Sequence, residues 1–164
     1  MKKAFSLIEL LIVILIIGIV YTLSIGNFNK IKNETKQISL EGLKDYLQDF
    51  PYEKNVKILC FDDCSGCDIF VDDEKINEKE IEDFLDDTVS VYRYDFSLGM
   101  VKLEKDNEIC FSYAIDRRGI GEQIFVEFNG KVYDFSTYLG SVPVYNSIGE
   151  ATDAKEKLIQ EVLK

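Results

Sequence analysis

The chain has 164 residues, 30 acidic against 19 basic, a net charge of −11, and no histidine. The missing histidine removes Ser-His and Cys-His nucleophile pairs and histidine-ligated zinc. The acidic balance offers no extended basic footprint, so nucleic acid is not an expected partner, and no enzyme activity, cofactor or metal is expected either.

Residues 1–25 read MKKAFSLIELLIVILIIGIVYTLSI, and from Phe5 to Ile25 only Glu9 is ionisable at neutral pH. As a helix, that stretch covers about 30 Å, the hydrocarbon thickness of a bilayer. Lys2 and Lys3 hold the leader on the cytoplasmic side, so the chain beyond is expected to be exported. Glu9 is the odd residue: a carboxylate central in a membrane helix costs about 2.5–3.5 kcal/mol, less near an end, and therefore wants a partner. No basic residue lies between Lys3 and Lys30. Cutting the chain before Phe5 creates the available positive charge, one helical turn from Glu9. A neighbouring subunit's new amino terminus could then meet Glu9 across packed helices, setting the register between them.

Beyond a weak stretch at 26–29, Leu40, Leu43, Leu47 and Phe50 recur at helical spacing, with charged residues on the other faces. Residues 5–50 are therefore read as one long helix, half in lipid and half amphipathic, ending at Pro51; two helices broken at 26–29 are the plainer variant. Asn55–Phe61 and 67–71 read as two strands joined by a tight DDCSG connection. Residues 72–87 carry nine carboxylates, read as a solvated acidic face. Within them, Asn77 and Glu80 fit a capping box for a short helix burying Ile81, Phe84 and Leu85. From Thr88 the period becomes alternating, giving strands around 89–96, 100–104, 109–115, 124–128 and 131–135. Asn129-Gly130 is a type I′ hairpin signal. These are expected to form an antiparallel meander of four to five strands, covered by the amphipathic half of the long helix. A final helix is placed after Thr152. Arg117 and Arg118, in a loop of an acidic chain, read as a salt-bridged turn rather than a DNA contact.

Cys60, Cys64, Cys67 and Cys110 all follow the apolar segment. Exported cysteines in even number point to two disulfides, and spacing leaves all three pairings open. The run Cys60-x3-Cys64-x2-Cys67 also matches a radical-SAM cluster spacing, and Cys64-x2-Cys67 a redox dithiol. The chain is too short for the barrel of the first and has no βαβ frame for the second.

The short basic leader, the small Ala4, the run Phe5-Ser6-Leu7-Ile8-Glu9 and the apolar segment with Gly18 resemble the prepilin signal of type IV pilins and type II secretion pseudopilins. The resemblance implies cleavage between Ala4 and Phe5 by a separate membrane peptidase, N-methylation of Phe5 and Glu9 as the assembly carboxylate. Ala4 stands where the family usually has Gly. The segment through Ile58-Leu59-Cys60 and Ile69-Phe70-Val71 is similar to the first hairpin of H-type pseudopilins and minor pilins. The resemblance thus implies an α+β, pilin-like fold: leader 1–4, transmembrane helix 5–25, amphipathic continuation 26–50 and a periplasmic globular domain 51–164. It implies a single-pass inner-membrane subunit that assembles into a filament or its tip for type II secretion, type IV pili or DNA uptake. Its expected partners are other pilin or pseudopilin subunits, the prepilin peptidase, an inner-membrane assembly platform and membrane lipid. The competing expectation is a signal-anchored periplasmic binding or sensor domain that does not polymerise.

Overall fold

The computed structural model describes residues 8, 11–17, 38–76, 81–105, 108–138 and 140–162. The chain divides into two compact units, Met1–Gln37 and Ile38–Lys164. In the first, Ile8 and residues 11–17 are helical, with exposed side chains. No helix among the described residues is long and apolar enough to cross a membrane.

The second unit is mostly β-sheet. One short helix, α1 (Leu43–Gln48), precedes strands β1 (Asn55–Phe61), β2 (Gly66–Val71), β3 (Glu74–Lys75), β4 (Ile81–Glu82), β5 (Ser90–Asp95), β6 (Gly99–Lys102), β7 (Ile109–Asp116), β8 (Phe125–Phe128), β9 (Lys131–Asp134) and β10 (Val144–Tyr145). Helix α2 (Ile148–Val162) follows. The strands form two five-stranded antiparallel sheets. One runs β3-β2-β1-β7, with β4 also paired to β2; the other runs β10-β9-β8-β5-β6.

Strand β1 lies at the heart of the first sheet because its alternation is strict: Val56, Ile58 and Cys60 are buried while the residues between them are half-exposed. Tyr113 and Ile115 of β7 and Cys67 and Ile69 of β2 extend the same face. In the second sheet, Val126 joins this core, while Phe125 and Val132 pack with Ala151 of α2 in a separate cluster. The sheet is therefore covered on both sides, and Ile124, Phe125 and Val126 are buried consecutively for that reason. Tyr113 and Phe135 rings, 4.7 Å apart and tilted at 53°, tie the first sheet to the end of β9.

The α+β expectation of a long N-terminal helix packed on one sheet is overturned: the architecture is predominantly β, with a 15-residue C-terminal helix. Over residues 38–50, the described part of the expected amphipathic continuation, a turn leads into only six helical residues. Ser39 accepts the Gly42 amide through both its carbonyl (3.1 Å) and its hydroxyl (3.2 Å), closing that turn. Leu40, Leu43 and Leu47 are nevertheless all buried. A turn followed by a short helix puts the same stripe inward, so periodicity alone could not distinguish the two.

Three further readings change. Ile81 pairs with Cys67 as a strand residue, and Asp83 has a positive φ of 55° that no helix accommodates. Ile81, Phe84 and Leu85 are thus buried without the expected helix; Asn77 and Glu80 lie outside the described residues. The single meander is split, because β7 pairs with β1 rather than with its sequence neighbours. Helix α2 starts before Thr152: the Ser147 hydroxyl accepts the Glu150 amide (3.2 Å), and the Glu150 carboxylate reaches back to the Asn146 amide (2.9 Å). The hairpin at Asn129 and Gly130 has φ of 50° and 68°, the left-handed pair that a type I′ turn requires.

Candidate processing and assembly site

Three of the residues singled out in the sequence, Ala4, Phe5 and Glu9, lie outside the described residues. Around them, Ile8 and the run 11–17 are helical and apolar on every side, which in water would leave a continuous hydrophobic surface. Such a surface is at rest when buried, in lipid or against other apolar protein surface.

The cysteines form two bridges, Cys60–Cys67 and Cys64–Cys110, with Cα atoms 4.0 and 5.7 Å apart. The first links directly opposed residues of β1 and β2. The second carries the connecting turn across to β7 on the far side of β1. Cys64 reaches that position from a left-handed backbone, φ 68°, within the turn. Cys64 and Cys67 are therefore bonded to different partners, and the redox-dithiol spacing between them is incidental. No group of three metal-holding side chains occurs among the described residues. Chemically, the arrangement staples one end of the first sheet, with all four cysteines buried.

Next to this hairpin, Asp72 ties the β2–β3 turn to the segment that leads into β1. Its carboxylate accepts the amides of Glu53, Lys54 and Asn55 at 2.7–3.1 Å. Those bonds, led by Glu53 and Lys54, hold its pKa below the usual carboxylate range. Asp73, also left-handed, is paired with Lys57 at 2.8 Å. The acidic run is partly committed to turn-building here, not only to solvation.

Arg118 donates from Nη2 and Nε to the Asp116 carboxylate, both at 2.8 Å. Asp116 also accepts the amides of Ile120 and Arg118, and its pKa is lowered, first by Ile120. The guanidinium is occupied within its own turn.

Two features escaped the sequence reading. Lys44, expected on a face other than the apolar stripe, is only 5% exposed and donates to the carbonyls of Thr137 and Tyr138, both at 2.9 Å. It staples α1 to the loop after β9, and nothing in its local pattern marks it, since its acceptors lie 93 and 94 residues away. The second feature is a groove of about 670 Å³ between the distal half of α2 and the second sheet. Phe125 and Leu158 contribute apolar lining, and Arg93, Glu122 and Lys155 add charge. Burial raises the Glu122 pKa, with Arg93 opposing the rise. Lys155 donates to the Ser136 hydroxyl at 2.8 Å and sits 6.0 Å from the Phe125 ring centre.

No curated protein and no solved structure matches the chain. The family model described as Prokaryotic N-terminal methylation motif does match, over residues 1–23. The motif implies processing by a prepilin peptidase and a membrane-anchored place in the cell envelope. Residues 1–23 thus carry the prepilin-type signal of type IV pilins and pseudopilins.

Proposed function

We propose that the protein is a pilin-like structural subunit, of the minor-pilin or pseudopilin kind, that assembles with other subunits into an envelope filament or its tip. The observation that carries this reading is the N-terminal methylation motif over residues 1–23. The peptidase cuts between Ala4 and Phe5, Phe5 becomes the methylated terminus, and the apolar segment 5–25 first holds the subunit in the inner membrane and later packs against neighbouring subunits. Glu9 pairs with the new amino terminus of a neighbour, a contact that is strong because lipid screens it weakly. The doubly bridged β1–β2 hairpin supports an exported position for Ile38–Lys164, since disulfides persist in oxidising compartments. The machine served is a type II secretion system, a type IV pilus or a DNA-uptake apparatus, whose motor and platform do the mechanical work, so this chain needs no active site.

The test replaces Glu9 with Ala or Lys in the cell. The variant is expected to remain in the membrane fraction and disappear from the sheared or assembled fraction. Assembly of either variant at the wild-type level contradicts the register role of Glu9.

A further inference from the structure

We propose that the groove beside α2 is a self-association surface, taking the β5–β6 turn of a second copy of this chain. The inference stands on the second unit and not on the N-terminal signal. At that turn, Phe96 and Leu98 are 83% and 76% exposed, and at the distal end of α2 Val162 is 78% exposed. Large apolar side chains gathered at one place, rather than scattered singly, mark an interaction surface. Phe96 is not a loose side chain: its ring meets Tyr94 edge-on, with centroids 5.9 Å apart and planes at 86°. The Asp95 carboxylate accepts the Ser97 and Leu98 amides at 2.8 and 3.0 Å, fixing the turn. The projection is therefore pre-ordered, which lowers the entropy lost on docking.

The occupant is argued from charge and placement. Arg93 forms no hydrogen bond or salt bridge among the described residues, and its charge opposes the burial-driven rise of the Glu122 pKa. Both bonds to Asp95 fall on Oδ1, leaving Oδ2 open. Phe96 itself lines the groove with Tyr94, Leu158 and Val162, so each copy presents one patch of apolar side chains flanked by a guanidinium and a carboxylate. Arg93 and Asp95 are two residues apart on β5 and share a face. A two-fold axis passing near Tyr94 would set each Arg93 against the other copy's Asp95. It would also lay each Phe96 over the other copy's Leu158 and Val162. This is the self-complementarity that an isologous contact requires.

The experiment uses full-length protein in a neutral maltoside detergent, with a short bismaleimide that reacts only with free thiols. F96C protein is mixed with V162C protein; because each carries one free thiol, a mixed cross-link can only be intermolecular. Glu74→Cys, on the exposed β3 strand of the other sheet, replaces V162C as the control for crowding in the micelle. The F96C–V162C product is expected to exceed the F96C–E74C product about tenfold, and R93E in both partners is expected to reduce it about tenfold through like-charge contacts at both symmetry-related sites. The exposure of the substituted side chains keeps the fold intact, checked by unchanged melting. A cross-link no stronger than the Glu74 control overturns the proposal. So does a cross-link indifferent to R93E, or a groove blocked by a small apolar dye with no loss of self-association. None of these outcomes depends on cleavage at Ala4–Phe5, so failure here is separable from failure of the filament reading.

Discussion

The two disulfides are predicted to differ sharply in what they contribute, and the difference follows from the chain they enclose. Cys64–Cys110 spans 46 residues and joins the β1–β2 turn to β7; Cys60–Cys67 spans 7 and joins residues already opposed within one hairpin. In the loop-entropy treatment the longer bridge removes about 4 kcal/mol of unfolded-state freedom and the shorter about 2 kcal/mol. Both pairs are buried, so the packing lost on replacing sulfur is similar and largely cancels in the comparison. Paired alanine variants, C64A/C110A and C60A/C67A, should therefore differ by about 2 kcal/mol, a shift of about 1 M in the urea midpoint for a slope near 2 kcal/mol per M. Equilibrium urea unfolding followed by tyrosine fluorescence and far-UV circular dichroism measures this directly. Equal midpoints, or a lower midpoint for C60A/C67A, refute the reasoning. Either result would mean that the bridges act through native geometry instead of chain entropy.

Other expected outcomes rest on particular side chains. Tyr113 is fully buried, and its hydroxyl has no hydrogen-bond partner among the described residues, so Tyr113→Phe should raise stability by about 1 kcal/mol in thermal or urea unfolding. A Cβ on Gly121 would overlap that same hydroxyl, so Gly121→Ala should destabilise by about 1–3 kcal/mol, and by less in the Tyr113→Phe background, where the ring carbon Cζ still lies 2.7 Å from that Cβ. Ile58, buried at the centre of β1 between β2 and β7, should cost about 2–5 kcal/mol on truncation to Ala. For pH, Asp63, Asp72, Asp73, Asp86 and Asp116 all titrate below their ordinary range in the folded state. Their stabilisation is present above the unfolded carboxylate value, about 4, and is lost as pH falls through the lower folded values. Melting temperature should therefore drop on acidification, with a shallower drop in Asp72→Asn. Glu122 has the opposite sign: its folded pKa is raised by burial, so its ionised form weakens the fold at neutral pH and Glu122→Gln should melt higher there.

Several strands were readable because their signals are local. Val56, Ile58 and Cys60 alternate cleanly with half-exposed neighbours, and Asn129-Gly130 specifies its hairpin through backbone conformation alone. What could not be read was choice of partner. Strand β7 has the same alternation whether it joins the later strands or returns to β1, and only the packed core decides. Between 38 and 50 the helix is shorter than its apolar spacing suggests, because spacing reports which residues face inward and says little about the backbone that turns them there. Ser39 and Gly42 were the available local cues to a turn. The disulfide pairing was beyond spacing for a similar reason: it depends on β7 lying beside β1, which brings Cys110 to the turn that holds Cys64. For the N-terminal segment the reverse holds. Its prepilin-type signal is written in the sequence of residues 1–23, and the roles proposed for Ala4, Phe5 and Glu9 are tested by processing and assembly.

The most direct measurement is the intact mass and N-terminal sequence of the protein purified from a cell containing a prepilin peptidase. The account predicts loss of Met1, Lys2, Lys3 and Ala4, with a single methyl group on the amino nitrogen of Phe5. A terminus still beginning at Met1 contradicts it and leaves the chain as a signal-anchored domain that does not enter a filament.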